Sequence, residues 1–385
     1  MASRITVAMV AGEASGDQLA AHLMKALRSA RPDIDFVGIG GPRMASAGLD
    51  AWWPAEKLSV RGYVEVLRHY RELSGIRKRL LQRLLAARPA AFIGVDAPDF
   101  NLWLERNLRD AGIPAIHYVS PSIWAWRGGR IKGIARSVSR MLCLFPFEPE
   151  LYEKAGVPVS YVGHPFADEI SPAPQRQAAR ERLALPASAR VVALLPGSRQ
   201  SELRYNAATW IDAARELHDR HPALRFLVPL TTRETRKLFE HALWERKATD
   251  LPISILFGHA RDAMMACDAA LVASGTATLE AALCRAPHVI AYRMHPVSWQ
   301  IMKRMAYQPW VGLPNILEGS AVVPELLQHD ATPLKLADAL DALLGDEAAR
   351  ATQLEHFERI HTALRCDTAS RAAAAILAHL PAAAP

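Results

Sequence analysis

The sequence predicts an α/β protein built from two doubly wound domains. Short apolar runs that end in Gly, Ser, Asp or Pro recur along the chain, and a helix-forming stretch follows most of them. This alternation is typical of βα units that assemble into a parallel sheet. At 385 residues the chain is also longer than one hydrophobic core usually organises, which favours two domains.

The apolar runs divide into two groups at a break in the pattern. The break, FADEISPAPQRQAARERLALPASAR, is polar and lacks strand character, so it is predicted to be a linker region. The predicted domains cover residues 1–170 and 171–345, and a helical, Ala-rich tail over 346–385 is predicted to pack back on the first domain. The predicted strands lie in ITVAMVA, IDFVGIG, AFIGVD, AIHYVS, MLCLFPF and VSYVGHP before the break, and in VVALLPGSR, LRFLVPL, ISILFGH, AALVASG and HVIAYRM after it.

Composition limits the kinds of partner. The formal net charge of +7 favours an anionic partner, which could be nucleic acid, a phosphorylated substrate or an acidic membrane surface. Nucleic acid is the weakest of the three, because the basic residues are interleaved with aliphatic side chains and no recognised nucleic-acid-binding motif is present. The four cysteines are far apart and form no C-x-x-C, so no zinc site or disulfide framework is predicted and a reducing cytoplasm fits. No apolar run reaches spanning length, so any membrane association is predicted to be peripheral.

The first strand of the second half ends in a turn suited to an anion. VVALLPGSRQSE places Gly197, Ser198 and Arg199 between an apolar strand and a helix. Free backbone N–H groups and the helix dipole favour an anion at such a place, and the glycine lets it approach. The alternative is a plain βα turn with an exposed arginine.

A second turn repeats this device. VASGTATLEAAL places Ser274, Gly275 and Thr276 between a strand and a helix, with Glu280 one turn further on. Two anion-binding helix starts in one domain suit a diphosphate, and the glutamate could accept hydrogen bonds from the hydroxyls of a ribose. Neither turn is a P-loop or G-x-G-x-x-G, so the prediction is a nucleotide-diphosphate site of another kind.

The first strand of the chain also ends in a glycine-bearing turn. AGEASGD contains Gly12, Ser15 and Gly16, which would let a ligand lie against the backbone. Ser15 has glycine on one side only at the required spacing, so a nucleophile elbow is not predicted. Asp17 is interpreted as a helix cap.

Two acids lie at and just after the end of the predicted strand AFIGVD. Asp99 comes just after Pro98 at a predicted helix start, where the helix dipole favours a carboxylate. Asp96 lies at the carboxyl end of the strand and has less of a structural role there. Asp96 is therefore the candidate general base, and Asp99 remains the second candidate.

A basic amphipathic stretch suggests a surface. Between Arg61 and Arg88 there are eight Lys or Arg and two acids, and apolar residues recur at helical spacing. A helix over 64–85 could therefore lie at a membrane interface. The alternative, a sheet-covering helix with a solvated basic face, is equally consistent with the pattern.

A series of motifs extends along nearly the whole chain. They are AGEASGD, GGPRM, GVDAPDFN, HYVSPSIWAWR, FPFE, VGHP, LLPGSRQSE, ASGTATLE and VGLPNIL. In their residues, order and spacing, these motifs closely resemble those of the bacterial lipid A disaccharide synthases of glycosyltransferase family 19.

The resemblance implies the GT-B fold, in which two Rossmann-like domains face each other across a cleft. It implies an inverting hexosyltransferase of lipopolysaccharide biosynthesis, with no metal ion or cofactor. Such an enzyme joins UDP-2,3-diacylglucosamine to 2,3-diacylglucosamine 1-phosphate (lipid X) and releases UDP and the lipid A disaccharide 1-phosphate. It also implies a cytoplasmic protein held peripherally at the inner membrane of a Gram-negative bacterium, and it suggests a homodimer.

Individual residues acquire roles by the same resemblance. Asp96 corresponds to the acid that would deprotonate the acceptor 6-hydroxyl. Arg199, and Asn315 in LPN, correspond to functionally important residues on the UDP side. Ser274 begins the segment that corresponds to the UDP-binding helix start, with Glu280 placed on the ribose.

Two rival functions stay open at this point. One is another GT-B enzyme, such as a UDP-sugar 2-epimerase or a transferase with a different lipid acceptor. The other is a non-catalytic nucleotide- or lipid-binding protein at the membrane surface. An epimerase would consume its nucleotide sugar without an acceptor, and a binding protein would bind UDP without forming product.

Overall fold

Two parallel β-sheets, each flanked by helices, make up the computed structural model of the chain. The chain divides into two compact units, the first formed by Met1–Asp168 with Leu364–Pro385 and the second by Glu169–Ala363. For residues 63–71 only the backbone is described. The structure describes residues 4–54, 63–125, 128–173, 175–305 and 307–382.

The first unit contains a seven-stranded parallel sheet. Its strands are β1 (Ile5–Ala11), β2 (Ile34–Gly40), β3 (Leu49–Pro54), β4 (Ala91–Val95), β5 (Ala115–Tyr118), β6 (Arg140–Cys143) and β7 (Val159–Tyr161). The order β3-β2-β1-β4-β5-β6-β7 reverses direction between β1 and β4. Ligands of open parallel sheets bind outside the carboxyl ends of the strands at such a switch point. Ala11 pairs with Val95 there, so the loops that follow β1 and β4 start side by side.

The second unit repeats this plan with six strands. They are β8 (Val191–Leu195), β9 (Arg225–Leu230), β10 (Ile253–Phe257), β11 (Ala269–Val272), β12 (His288–Tyr292) and β13 (Glu325–Leu327). The order β10-β9-β8-β11-β12-β13 places the switch point between β8 and β11. Leu195 pairs with Val272, so the two turns predicted to bind a diphosphate begin next to each other. The prediction of two doubly wound α/β domains is confirmed.

Helices connect the strands and cover the sheets. In chain order they are α1 (Ala14–Ala30), α2 (Pro42–Ser46), α3 (Tyr63–Ala87), α4 (Pro98–Asp110), α5 (Ile131–Ser137), α6 (Pro149–Glu153), α7 (Pro165–Glu169), α8 (Arg176–Arg182), α9 (Gln200–Arg220), α10 (Arg233–Glu245), α11 (Ala260–Ala266), α12 (Thr276–Leu283), α13 (Pro296–Met305), α14 (Leu313–Glu318), α15 (Pro333–Gly345), α16 (Glu347–Leu364) and α17 (Thr368–Leu377). Among the described residues, no helix combines the length and the apolar character needed to cross a bilayer.

All eleven predicted strands are confirmed, and two further strands were not predicted. Strands β4 and β8 are buried at every position, which explains why each is an uninterrupted apolar run. The two missed strands, β3 and β13, lie at sheet edges and pair on one side only. Edge strands are half solvated and lack the apolar run of a central strand, and β13 has only three residues.

The predicted linker is partly a packed element of the second unit. Its polar sequence includes α8, where Arg180 is only 5% exposed. The Arg180 guanidinium donates hydrogen bonds to the carbonyl oxygens of Ala266 at 3.2 Å and Ala187 at 2.9 Å. The interpretation of this segment as a linker was therefore wrong for α8, because backbone carbonyls satisfy an arginine that composition alone would leave in solvent.

The tail predicted over 346–385 is divided between the units. In α16, the Phe357 ring stacks on the buried His288 ring of the second unit at 5.2 Å between centroids. In α17, Ala372, Ala373 and Ile376 join the hydrophobic core of the first unit. The single tail segment therefore corresponds to two helices with different packing partners.

The described side chains of α3 support a sheet-covering helix. Ile76, Leu80 and Leu84 are buried in a core cluster together with residues of β1 and β4. The Arg83 guanidinium lies 3.9 Å from the centre of the Trp52 ring, so part of the basic face also packs within the unit. The first part of the predicted interfacial helix 64–85 lies outside the described side chains, which begin at residue 72 in this helix.

Candidate active site

The turn after β1 lies at the switch point of the first sheet. Gly12 and Gly16 are buried, and Ser15 is exposed in the first turn of α1. A Cβ added to Gly16 would lie 3.6 Å from the carbonyl oxygen of Val95, which is an ordinary contact. The three predicted residues therefore lie beside the end of β4, and Ser15 is the one whose side chain solvent can reach.

Asp17 ties this turn to the loop after β2. Its buried carboxylate accepts hydrogen bonds from the backbone N–H groups of Gly41 at 2.8 Å, Arg43 at 3.0 Å and Met44 at 3.1 Å. The prediction that Asp17 is a helix cap is confirmed, but it caps α2 and not its own helix. The GGPRM loop is thereby fixed against the start of α1.

Asp96 occupies a constrained turn at the end of β4. Its backbone N–H donates to the carbonyl oxygen of Tyr118 at 2.8 Å. Asp96 and Ala97 both have left-handed backbones, with φ of 53° and 44°. Non-glycine residues rarely adopt this conformation, and such strain is often found at functional sites. The Asp96 carboxylate is half-buried and has no hydrogen-bond or ion-pair partner among the described residues.

Asp99 has a different environment. It lies in the first turn of α4, as predicted, and its side chain is 85% exposed. The Arg130 guanidinium donates to its carboxylate at 2.6 Å. The two acids of the motif are therefore distinguished by the structure: Asp99 is solvated and paired, and Asp96 is neither fully solvated nor paired with any described residue.

Asn101 supports the turn that carries Asp96. It is fully buried, and its Nδ2 donates to the carbonyl oxygen of Asp96 at 2.8 Å. The same nitrogen lies 3.4 Å from the carbonyl oxygen of Val10, near the end of β1. Asn101 was not predicted as a site residue; the available signal was an amide in the first turn of a helix that directly follows a buried strand.

A buried carboxyl group and imidazole form a hydrogen-bonded pair that packs against β4. Nδ1 of His117 on β5 and Oε1 of Glu105 on α4 are 2.6 Å apart, and both side chains are completely buried. Burial raises the pKa of Glu105, and the neighbouring His117 opposes that rise. A Cβ on Gly94 would overlap Oε1 of Glu105, so a glycine in β4 makes room for this carboxyl group. The pair was not predicted: His117 begins the motif HYVSPSIWAWR, but nothing in that motif indicates Glu105 on the preceding helix as its partner.

Glu148 links the loops that follow β5 and β6. Its carboxylate accepts hydrogen bonds from the backbone N–H groups of Leu144 at 3.0 Å and Phe145 at 2.9 Å, and from Nε1 of Trp124 at 3.1 Å. Burial raises the pKa of Glu148 to about 7, and the donated hydrogen bonds limit that rise. Glu148, the last residue of FPFE, therefore connects this motif to Trp124 of the motif HYVSPSIWAWR.

The turn after β8 differs from its prediction. The backbone N–H groups of Ser198 and Arg199 donate to Oε2 of Glu202, at 2.9 and 3.2 Å. A Cβ on Gly197, whose φ is 122°, would overlap the same carboxylate. These N–H groups are therefore not free for an anion, because a glutamate of α9 already occupies the place predicted for a phosphate. The Arg199 side chain is 71% exposed and lies 3.1 Å from Oε1 of Glu202.

The turn after β11 keeps its donors open. Gly275 has φ of 132°, and a Cβ there would meet no atom within 4 Å. The N–H groups of Gly275 and Thr276 donate to no described residue, and both residues are exposed. The Ser274 hydroxyl donates to the carbonyl oxygen of Val311 at 3.4 Å. Oε1 of Glu280 accepts from Nε of Arg261 at 2.7 Å, while Oε2 has no described partner.

Asn315 is a structural residue of the neighbouring loop. It is completely buried, and its Nδ2 donates to the carbonyl oxygen of Val323 at 2.8 Å and to Oε1 of Glu325 at 2.9 Å. Its Oδ1 accepts from the N–H groups of Val322 and Val323 at 2.9 and 2.8 Å. The amide has two donors and about two acceptor positions, all of which are used. Direct contact of Asn315 with a substrate is therefore not supported by the structure.

The cysteines take no part in these clusters. Cys143, Cys267 and Cys284 are buried free thiols, and burial raises the pKa of Cys267 to about 12. In the described part of the chain, no group of three or more His, Cys, Asp or Glu side chains is arranged to hold a metal ion.

The matches to known proteins span nearly the whole chain. Residues 7–377 match the model of the lipid-A-disaccharide synthetase family. The lipid-A-disaccharide synthase of Aromatoleum aromaticum is 66% identical over 380 residues, which cover 99% of this chain and 97% of the relative. The lipid-A-disaccharide synthase of Azoarcus sp. is 63% identical with the same coverage of 99% and 97%.

Solved structures show the same fold at low sequence identity. The UDP-GlcNAc 2-epimerase of Neisseria meningitidis, bound to UDP-GlcNAc, has a TM-score of 0.67 at 11% identity over 97% of this chain and 100% of that chain. The glycotransferase of kitacinnamycin has a TM-score of 0.64 at 16% identity, over 98% and 100% of the two chains. These likenesses establish the GT-B fold, and the family match favours the predicted function over an epimerase. The chain belongs to the lipid-A-disaccharide synthase family of glycosyltransferases.

Proposed function

We propose that this chain transfers the sugar of UDP-2,3-diacylglucosamine to 2,3-diacylglucosamine 1-phosphate and releases UDP. For a member of this family, the proposal rests on one observation. The half-buried Asp96 carboxylate lies at the switch point of the first sheet and has no partner among the described residues. Asp96 acts as general base on the acceptor 6-hydroxyl while that oxygen attacks the anomeric carbon in a single inverting displacement. A positioned base of this kind contributes about 10²- to 10⁴-fold to the rate. Asp99, paired with Arg130, serves as a structural acid at the start of α4.

The UDP group is proposed to bind at the second switch point. The open N–H groups of Gly275 and Thr276 at the start of α12 are suited to a phosphate. Oε2 of Glu280 is available for a ribose hydroxyl. The exposed Arg199 guanidinium adds the positive charge that a departing diphosphate requires. In this proposal Gly197, with Ser198, shapes the Arg199 turn and does not itself bind phosphate.

The acceptor is proposed to bind the first unit at the turn after β1. Ser15 is exposed there, and Gly12 and Gly16 bring the turn close to the end of β4. A hydroxyl and a solvent-accessible helix start can hydrogen-bond a sugar or its phosphate. Asn315 contributes indirectly, by holding the loop that meets the start of α12.

Both substrates are amphiphiles, so we also propose that the protein works in the cytoplasm, bound peripherally to the inner membrane. The basic excess between Arg61 and Arg88 supports this proposal, since anionic lipid attracts such a segment. Ile76, Leu80 and Leu84 of helix 64–85 are buried in the core and do not take part in this proposed contact. We further propose a homodimer, which sedimentation velocity of the purified protein would test.

The test of the catalytic proposal is turnover in detergent micelles with a labelled donor, measured as disaccharide and UDP. The Asp96→Asn variant should lose at least about 100-fold in kcat, since Asn cannot accept the proton. Asp99→Asn is the matched control, with the same chemical change three residues away and an expected loss of less than about tenfold.

Other outcomes would contradict specific parts of the proposal. Equal rates for wild type and Asp96→Asn, with both folded by circular dichroism, would remove Asp96 as the base. Consumption of donor without acceptor would favour an epimerase. Tight UDP binding with no product from either substrate combination would favour a non-catalytic binding protein.

A further inference from the structure

Helix α13 buries none of its ten residues. Val297 is 61% exposed, Ile301 53% and Met302 45%, and Tyr307 just beyond the helix is 63% exposed. Single exposed apolar side chains are ordinary, but a cluster of them on one element marks an interaction surface. A helix in water usually gains its stability by burying one face, whereas α13 has no fully buried residue and only Trp299 and Met305 are partly buried.

The exposed apolar side chains share one side of the helix. At about 100° per residue, Val297, Ile301 and Met302 fall within less than half of the helix circumference. On the same projection, Arg304 lies about 20° from Val297 and Lys303 about 100° from Met302, so an exposed cation borders the apolar arc on each side. An apolar arc bordered by cations is typical of helices that lie in a membrane interface, where long basic side chains reach the headgroups.

The charge around α13 favours an anionic occupant. From Arg293 to Leu317 the chain contains no Asp or Glu, although acids make up 39 of the 385 residues overall. A second copy of the chain is disfavoured, since a two-fold contact through α13 would bring together two surfaces of the same positive charge. Lipid phosphates, by contrast, carry the opposite charge to Lys303 and Arg304. The apolar side chains of α13 can enter the boundary between the headgroups and the acyl chains.

We propose that α13 is an interfacial helix that docks on an anionic phospholipid bilayer. Val297, Ile301 and Met302 enter the boundary between headgroups and acyl chains, and Lys303 and Arg304 contact lipid phosphates. This inference deepens the proposed function and rests on it for the membrane as the place of catalysis. It gives the second unit a membrane contact of its own, separate from helix 64–85 of the first unit.

The test measures binding of the full chain, without substrates, to vesicles of phosphatidylcholine and to vesicles that also contain phosphatidylglycerol. The triple variant Val297→Ser/Ile301→Ser/Met302→Ser should partition about 100-fold more weakly into the anionic vesicles, because three apolar insertions are lost. The double variant Lys303→Gln/Arg304→Gln should lose roughly 20-fold on the anionic vesicles, about fivefold per charge, and little on the neutral ones.

Matched control variants come from the same unit. Trp244→Ser/Phe257→Ser/Leu334→Ser removes three side chains that are 71%, 60% and 55% exposed on other elements. Arg233→Gln/Lys237→Gln removes two exposed cations from α10. Both controls should bind vesicles as the wild type does, and a loss equal to that of the α13 variants would overturn the proposal.

Further outcomes separate this inference from the proposed function. Wild-type vesicle binding that the α13 variants leave unchanged, or no wild-type binding at all, would overturn the inference. Retained transfer in detergent with lost vesicle binding supports it. Lost transfer in detergent, with an unchanged thermal midpoint, would mean that α13 holds substrate acyl chains and not the bilayer. Vesicle binding that depends on α13 in a wild type without transferase activity would keep the inference and refute the proposed function.

Discussion

Replacing Asn101 by alanine should reduce catalysis through the position of Asp96. The Nδ2 group of Asn101 donates to the carbonyl oxygen of Asp96 at 2.8 Å inside the core. That carbonyl belongs to a turn in which Asp96 and Ala97 both have left-handed backbones. Each such residue costs on the order of 1 kcal/mol, so about 2 kcal/mol of strain must be held by surrounding contacts. The alanine variant removes the nearest of these contacts.

The size of the effect follows from comparing the strain energy of the turn with the cost of the lost hydrogen bond. A buried carbonyl that loses its donor costs about 1–3 kcal/mol, which is comparable with the strain in the turn. The strained conformation therefore loses its advantage over relaxed alternatives by about 2 kcal/mol. Since 1.4 kcal/mol corresponds to a factor of ten, kcat should fall roughly 30-fold. KM should change little, because Asn101 is buried and contacts no surface that a substrate could reach.

The assay is steady-state transfer in detergent, with kcat and KM determined separately and unfolding measured in parallel. Asn107→Ala is the control, because Asn107 lies on the same helix and its Nδ2 donates to the carbonyl oxygen of Trp103 at 2.7 Å, away from Asp96. Equal kcat values for the two folded variants would refute the reasoning. So would a rise in KM at constant kcat, since this would make Asn101 a binding residue.

Three further changes have expected outcomes of their own. Gly94→Ala should lower the free energy of unfolding by roughly 1–3 kcal/mol, because the new Cβ overlaps the carboxyl group of Glu105. Gly133→Ala is the control and should not destabilise the protein, because a Cβ there meets no atom within 4 Å. Urea titration of both variants measures the difference. Because the folded pKa of Glu148 is raised to about 7, the stability that its bound proton contributes is complete below the unfolded pKa and is lost as pH rises toward 7. Glu148→Gln should flatten that dependence, and an unchanged slope of unfolding free energy against pH would contradict the assignment. Asn315→Ala should destabilise the second unit by a few kcal/mol, because four hydrogen bonds of about 1 kcal/mol each are lost. Calorimetry measures both the stability and the UDP affinity of this variant. A loss of UDP affinity at unchanged stability would show that Asn315 binds UDP directly.

The sequence allowed the central strands and both switch points to be predicted. Parallel strands buried on both faces, such as β4 and β8, leave an uninterrupted apolar run. The turns that follow such strands carry the candidate site residues, because ligands of open parallel sheets bind outside the carboxyl ends of the strands. Asp96 and Gly275 were predicted as site residues from position alone, and the structure places each just after a strand at a switch point; their roles stay predictions.

The partners of polar side chains could not be predicted in the same way. Glu202 and Asn315 satisfy backbone groups of loops in the second unit, and Asp17 caps a helix other than its own. A motif specifies residue type and order, but whether a carboxylate faces a ligand or a neighbouring N–H group depends on distances that arise only when separate loops pack together. Periodicity contains no information about these distances, and so anion sites predicted from a strand, a glycine and a helix are expected to be overcounted.

The hydrogen bonds of Glu202 determine which groups of the second unit can bind an anion. The N–H groups of Ser198 and Arg199 are neutralised by the Glu202 carboxylate, which would repel a phosphate placed beside it. The Arg199 guanidinium, however, is mostly solvated, and Glu202 keeps its two backbone N–H donors without it, so the arginine can turn to another anion. The start of α12 needs no such rearrangement, because its donors are already open. A diphosphate would therefore take fixed backbone donors from α12 and a movable charge from Arg199, a division of roles that suits a group whose negative charge increases as the sugar leaves.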